Sequence, residues 1–191
     1  MAPLRYTTNT SLDGFVNDAR GSIEWSEPDA EVHGFINDLE RPVGTYLYGR
    51  RLYDTMVVWE TLGTGPDDGL SGDLTPEWRD YGRIWRAAEK VVYSRSGRTV
   101  QSARTRVLPR FDPDEVRAMK AAAHADLSVG GAELAGQALA AGLVDECHLL
   151  IRPVTLGGGT PALPRGVAAS LTLVDERRFS SGVVHLHYRI A

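Results

Sequence analysis

The segment Leu127-Ser128-Val129-Gly130-Gly131-Ala132-Glu133-Leu134 runs from an extended apolar stretch through two glycines straight into a helical pattern. That junction limits what the chain can become, because it belongs to folds in which a strand ends against the start of a helix. The same change of period recurs. Thr45 to Tyr48 is a β-rich run that ends at Gly49, and a helix begins near Arg50 with Leu52, Tyr53, Met56 and Val57 on its inner side. Lys90 to Ser94 and Thr105 to Leu108 read as strands. Asp112-Pro113-Asp114-Glu115 resembles a capping box with proline at the first helical position, opening a helix to about Ala123.

The remaining elements follow the same logic. Leu4, Tyr6 and Thr8 alternate as in a first strand, and a Gly- and Asp-rich loop extends to about Pro28. Val32, Phe35, Ile36 and Leu39 give the next helix one buried face, and Pro42 stops it. Residues 63 to 74 read as a mobile loop. Thr75 caps a helix with Pro76 at its start and a stripe of Trp78, Tyr81, Trp85 and Ala88, a spacing that core packing explains. Leu134, Ala138 and Leu139 mark a helix ending near Gly142, followed by a β-rich run from Glu146 to Pro153. Ser170 to Val174 and Val183 to Ile190 close the chain as a hairpin. Strands alternating with helices, then strands alone, give an α/β protein with a mostly parallel sheet, antiparallel strands at one edge and helices on both faces. One domain over residues 1-191 is the economical division.

Composition narrows the function. The net charge of -4 and the lack of a basic stripe exclude a phosphate-backbone partner such as nucleic acid. Cys147 is the single cysteine, so no intramolecular disulfide forms, which fits a reducing compartment. No apolar stretch approaches the roughly 18 residues of a membrane span, and the first ten residues lack a signal-like core. The chain is therefore expected to be cytoplasmic. The histidines, His33, His124, His148, His185 and His187, are scattered. His185 and His187 share a strand face, but no third partner is evident, so no metal site is expected.

Three strand ends carry groups suited to an anion. Gly130-Gly131 before a helix lets backbone amides approach a phosphate, although a tight turn needing glycine explains the pair equally well. Gly49-Arg50-Arg51 sets two arginines at a helix start, where cations oppose the helix dipole unless they face an anion. Ser94 and Arg95 follow a buried strand and suit a phosphate monoester. Ligands of open α/β sheets sit beyond the carboxyl ends of the strands. Three such junctions together favour an extended polyanion such as a dinucleotide.

Ser11-Leu12-Asp13-Gly14-Phe15, Gly49-Arg50-Arg51, Lys90-Val91-Val92-Tyr93-Ser94-Arg95 and Gly130-Gly131-Ala132-Glu133-Leu134 occur in order. Gly142-Leu143-Val144-Asp145-Glu146 and Pro153-Val154-Thr155-Leu156-Gly157-Gly158-Gly159 complete the set. Together they resemble the dihydrofolate reductase-like superfamily, and within it the reductase domain of riboflavin biosynthesis, the RibD C-terminal type. The resemblance implies an eight-stranded three-layer fold, NADPH across the strand ends and a homodimer. It implies phosphate contacts from Gly49 and Arg50 on one side and from Gly130, Gly131, Ala132 and Glu133 on the other. Ser94 and Arg95, with Arg51, would take the 2′-phosphate, and the loop from Ser11 would lie against the nicotinamide.

Asp13 is the one carboxylate of that loop: it orients substrate or assists proton delivery, or else it stabilises the turn before Gly14. Trp25, His33, Asn37, Met56 and Trp59 are candidates for the substrate side. His33 and Asn37 share a helix face, although a lone surface histidine is the commoner case. The acidic residue that true dihydrofolate reductases carry on the first helix falls near His33, which argues against folate. No deaminase motif is present. The implied reaction is hydride transfer from NADPH to a small heterocycle such as 5-amino-6-(5-phosphoribosylamino)uracil. The alternatives are a stand-alone reductase of another small molecule, dihydrofolate-like or a secondary metabolite, and a nucleotide-binding protein without turnover.

Overall fold

A computed structural model describes residues 1–65, 74–95 and 100–191. The strands are β1 (Leu4–Ser11), β2 (Val43–Gly49), β3 (Glu89–Tyr93), β4 (Thr105–Leu108), β5 (Asp126–Gly130), β6 (Glu146–Arg152), β7 (Leu171–Arg178) and β8 (Val184–Ile190). The helices are α1 (Ala30–Glu40), α2 (Arg50–Met56), α3 (Pro76–Ala87), α4 (Pro113–Ala122) and α5 (Ala132–Ala140). Most of the loop read over 63 to 74 lies outside the described residues.

The helix starts follow from their caps. Asp29 accepts from the Val32 amide before α1, and Thr75 from the Trp78 amide before α3, where Pro76 occupies the first turn. Asp112 caps α4 through the amide of Asp114 rather than that of Glu115, so a simple side-chain cap stands where a capping box was expected. β7 runs four residues further than the alternation suggested while β8 is close to its expected span, and Phe179 to Val183 forms the turn, closed by the Phe179 amide donating to the Val183 carbonyl.

One eight-stranded sheet has the order β4-β3-β2-β5-β1-β6-β8-β7. The pairings from β4 to β6 are all parallel, whereas β8 runs antiparallel to both β6 and β7. This is the dihydrofolate reductase-like fold. Alternate residues of the central strands feed two cores. Leu4, Tyr6, Leu47, Val91, Leu127 and Val129 pack with Val116 of α4 and with Leu134, Ala135 and Ala138 of α5. On the opposite face, Tyr46, Tyr48 and Val92 pack with Tyr81 and Trp85 of α3. Leu150 meets Val32 of α1 there, with Phe179 and Val183 from the hairpin turn. Burial on both faces is why β2 and β3 read as continuous apolar runs rather than alternating ones. Among the described residues, no helix is long and apolar enough to cross a membrane.

Candidate functional site

Because six neighbouring strands run parallel, their carboxyl ends open along one edge. The register then decides which junctions meet there. Tyr48 pairs with Gly130 and Gly49 pairs with Tyr93, so Gly49-Arg50, Gly130-Gly131 and Ser94-Arg95 lie side by side. On the far side of β5, Ser11 pairs with Arg152 at the end of β6.

Gly131 sits at φ +88 and ψ 125, a backbone state that side chains resist, and it forms the start of α5 without any side-chain cap. The first amides of α5 therefore face the edge. Gly130 is small for an internal reason. A Cβ there would lie 2.5 Å from Leu52 Cδ2 and 3.0 Å from the Tyr48 ring. Its bareness lets α2 settle onto β5. At Gly49 the same test meets only Leu134 Cβ, at 4.0 Å, so the backbone is open.

Of the two arginines that open α2, Arg50 is half-buried and Arg51 is exposed. Arg50 Nε lies 3.2 Å from Asp54, and Arg51 lies 4.0 Å from Glu133 across the starts of α2 and α5. The Arg51–Glu133 pair is so exposed that it contributes little to stability, and a stronger anion could displace it. Arg95 is exposed just beyond β3, where the Ser94 amide donates to the Leu108 carbonyl.

The loop after β1 is tightly stitched. Ser11 is buried, and its Oγ accepts from the Phe15 amide at 2.9 Å. The Asp13 carboxylate reaches across to the other glycine-rich loop and accepts from the amides of Leu156 (3.0 Å) and Gly157 (2.7 Å). The Leu12 amide donates to the Val154 carbonyl and the Val16 amide to the Thr160 carbonyl. Two motifs that stand about 140 residues apart in the sequence thus hold each other in place. The Ser11 hydroxyl, then the Leu156 and Gly157 amides, hold Asp13 down to about 2. It is a carboxylate that anchors a loop, and it keeps no proton to deliver near neutral pH.

The substrate-side candidates divide. His33 is buried rather than on the surface, with its ring 6.3 Å from Trp59, 5.8 Å from Trp78 and 5.9 Å from Tyr81. Desolvation lowers its pKa and so favours the neutral ring, and among the described residues Nδ1 has no hydrogen-bond partner. Met56 is half-buried in the adjoining aromatic core with Trp59. Asn37 is not brought to an open face. The stripe it shares with His33 is covered by α3, where its amide donates to the Glu77 carbonyl and to Asp80. Trp25 stands apart, with Nε1 on the Ser22 carbonyl.

Arg152 is a site-edge residue that the sequence reading missed. It is buried, with Nε donating to Asn9 Oδ1, Nη2 to the Ser26 carbonyl and Nη1 to the Glu27 carbonyl. It ties the segment carrying Trp25 to the end of the sheet. The signal was an arginine closing the apolar run of β6 just before Pro153.

Fold and edge together define an α/β protein whose parallel strands end at glycine- and arginine-bearing junctions. The RibD C-terminal domain model matches residues 3–185, and the chain belongs to that family. The uncharacterized protein YyaP of Bacillus subtilis (strain 168) is 29% identical over 182 residues, covering 93% of this chain and 89% of that protein. Among solved structures, a provisionally named riboflavin biosynthesis protein from Shewanella sp. PV-4 matches with a TM-score of 0.73 at 20% identity, over 100% of this chain and 99% of that one. The diaminohydroxyphosphoribosylaminopyrimidine deaminase/5-amino-6-(5-phosphoribosylamino)uracil reductase of Thermotoga maritima matches with a TM-score of 0.66 at 16% identity, over 100% of this chain and 57% of that one. A pyrimidine reductase-like protein from Corynebacterium diphtheriae gives 0.67 at 14% identity, over 100% and 92%. At these identities the structural likenesses establish the fold.

Proposed function

We propose that this chain is an NADPH-dependent reductase of a small heterocyclic compound, with 5-amino-6-(5-phosphoribosylamino)uracil or a close relative as substrate. The observation that carries this reading is the register Tyr48–Gly130 and Gly49–Tyr93, which aligns three anion-suited junctions on one edge. Family membership and the name of the Thermotoga protein support the reaction class. NADPH, when bound, supplies the hydride.

The residues fit such a cofactor. The uncapped start of α5 after Gly131 and the open backbone at Gly49 would hold the pyrophosphate, helped by Arg50. Arg95 and Ser94, with Arg51, would hold the 2′-phosphate. Asp13 fixes the Ser11 loop against the Gly157 loop and so orients the floor of the nicotinamide pocket. Trp59, half-buried and backed by the buried His33 ring, offers an aromatic wall for the heterocycle. The protein's contribution is orientation and exclusion of water.

Thermal unfolding with NADPH, with NADH and with neither tests the reading. Ligand at a hundred times its dissociation constant adds about 2.7 kcal/mol. A rise with NADPH and little with NADH supports the cofactor site, and loss of NADPH absorbance with the uracil compound then supports the substrate. Oxidation of NADPH by other heterocycles alone points to a stand-alone reductase; binding without any turnover points to a nucleotide-binding protein. No shift with either nucleotide overturns the proposal.

The enzyme is proposed to work in the cytoplasm as a homodimer. The edge strand β7 exposes Leu171, Leu173 and Val174 at 44%, 48% and 45%, and an unpaired strand edge with apolar side chains favours association with a second copy. A Leu173→Glu variant that still elutes as a dimer would remove β7 from the interface.

A further inference from the structure

A second polar cluster lies on β6 and β8, and the reductase reading does not use it. Glu146 and His148 are two residues apart on β6, and His187 of β8 is the cross-strand partner of His148. Period-two alternation and direct pairing bring all three side chains to one face of the sheet. One Glu146 carboxylate oxygen lies 3.7 Å from His148 Nε2 and 3.5 Å from His187 Nε2. The three donor atoms all lie within 4.8 Å of one another.

Both Nε2 atoms are buried and, among the described residues, lack a hydrogen-bond partner. His148 is only 3% exposed. Unpartnered buried nitrogens are costly unless something completes them. The other ring nitrogen of His148 is already engaged, 3.1 Å from His185 Nε2. A proton on His148 Nδ1, donated to His185, leaves the Nε2 lone pair directed at Glu146. Fixing one ring nitrogen so that the other presents a lone pair is how metal-binding histidines are oriented.

The spacing suits zinc. Ligand bonds of about 2.0–2.2 Å in a tetrahedral shell put donor atoms roughly 3.4 Å apart. The two carboxylate–imidazole separations are within a few tenths of an ångström of that. The His148 and His187 rings are stacked at 4.0 Å with a 19° tilt, so His187, the more exposed of the two, must rotate out of the stack for the two lone pairs to converge on one ion. Charge also favours a cation. Arg5 lies 3.4 Å from the same Glu146 oxygen, but it also pairs with Asp126, leaving two carboxylates against one guanidinium.

We propose that Glu146, His148 and His187 form a site for a borderline divalent metal of the zinc class, completed by water, which ties β8 to β6. Glu146 stands six steps along β6 from Arg152 at the proposed ligand edge, roughly 20 Å at strand rise. The site is therefore structural, and its occupancy does not alter NADPH binding.

Chelator-treated full-length protein, titrated with Zn²⁺ by calorimetry and with Co²⁺ by visible absorption, tests this without any nucleotide. One Zn²⁺ per chain, a tetrahedral Co²⁺ spectrum and a raised Tm are expected. His187→Gln and Glu146→Gln should abolish both signals. His185→Gln, which leaves the three ligands in place, should weaken binding about 10–100-fold. His124→Ala, at an exposed histidine outside the cluster, should change nothing. Glu146 also meets Arg5, so circular dichroism must show each variant folded. His187→Gln, which removes no hydrogen bond of Nε2, decides the matter if Glu146→Gln unfolds. No binding by the parent chain, or undiminished binding by folded His187→Gln, overturns the proposal.

Discussion

At the carboxyl edge of the sheet, the exposed guanidinium groups of Arg51 and Arg95 stand in water beside glycine turns, each junction built from residues adjacent in sequence. On the β6–β8 face, a carboxylate and stacked imidazoles are withdrawn from water, and their neighbours come from strands some 40 residues apart. The first arrangement gains its binding strength only when an anion arrives, because nothing in the fold depends on it. The second carries the standing cost of unpartnered buried nitrogens, which a bound metal ion relieves and a proton aggravates. One sheet thus holds a site optimised for exchange and a site optimised for retention.

Acid should separate the two most sharply. Burial, then the neighbouring His187 and His185 imidazoles, push His148 down to about 3, and burial and His187 push His185 down to about 4. Arg5, Arg177, Asp175 and Glu146 are the charged groups around them. These histidines take up protons more readily unfolded, so stability falls as pH drops below the ordinary value of 6.5. Each contributes a slope of up to about 1.4 kcal/mol per pH unit. Urea unfolding of metal-free protein between pH 7 and pH 4 should show this, with the slope roughly halved in His185→Gln. A flat profile would erase the contrast between the regions.

The next effect belongs to the edge. Gly131→Ala forces a side chain into a backbone state that costs about 1–3 kcal/mol, and it should also abolish NADPH binding. A stable variant with intact binding would show that α5 does not face the cofactor. Arg95→Ala should leave stability unchanged and weaken NADPH about 10–100-fold, the worth of a charge-assisted contact, with NADH unaffected. Asp13→Asn should act least, lowering Tm slightly and leaving the pH profile of turnover unchanged above about pH 5, since the carboxylate is already ionised there. A new pH dependence in that variant would restore Asp13 as the acid.

The contrast also explains what was legible in the sequence. Gly49-Arg50, Ser94-Arg95 and Gly130-Gly131 each announce themselves within a few residues, because a strand-to-helix turn is local chemistry. The elements of the sheet were readable for the same reason. The partners of His187 were not, since β8 inserts between β6 and β7 and only that order sets it opposite His148. Asn37 misled for a related reason. Its helix face was correctly read, but the sequence did not show that α3 would cover it. Arg152 was overlooked because its acceptors, Asn9 and the carbonyls of Ser26 and Glu27, lie more than a hundred residues earlier.

β1 lies near the middle of the sheet, yet it pairs only with β5 and β6, with Leu4 opposite Leu127 and Tyr6 opposite Cys147. Pairings this distant require closing a loop of more than 120 residues before any strand contact compensates the lost chain entropy. Refolding should therefore be slow, and β1 should acquire hydrogen-exchange protection late, after β2 and β3 have associated. The first strand in the sequence would be the keystone set last, and until then the apolar faces of Leu4 and Tyr6 would leave the partly folded chain prone to aggregate.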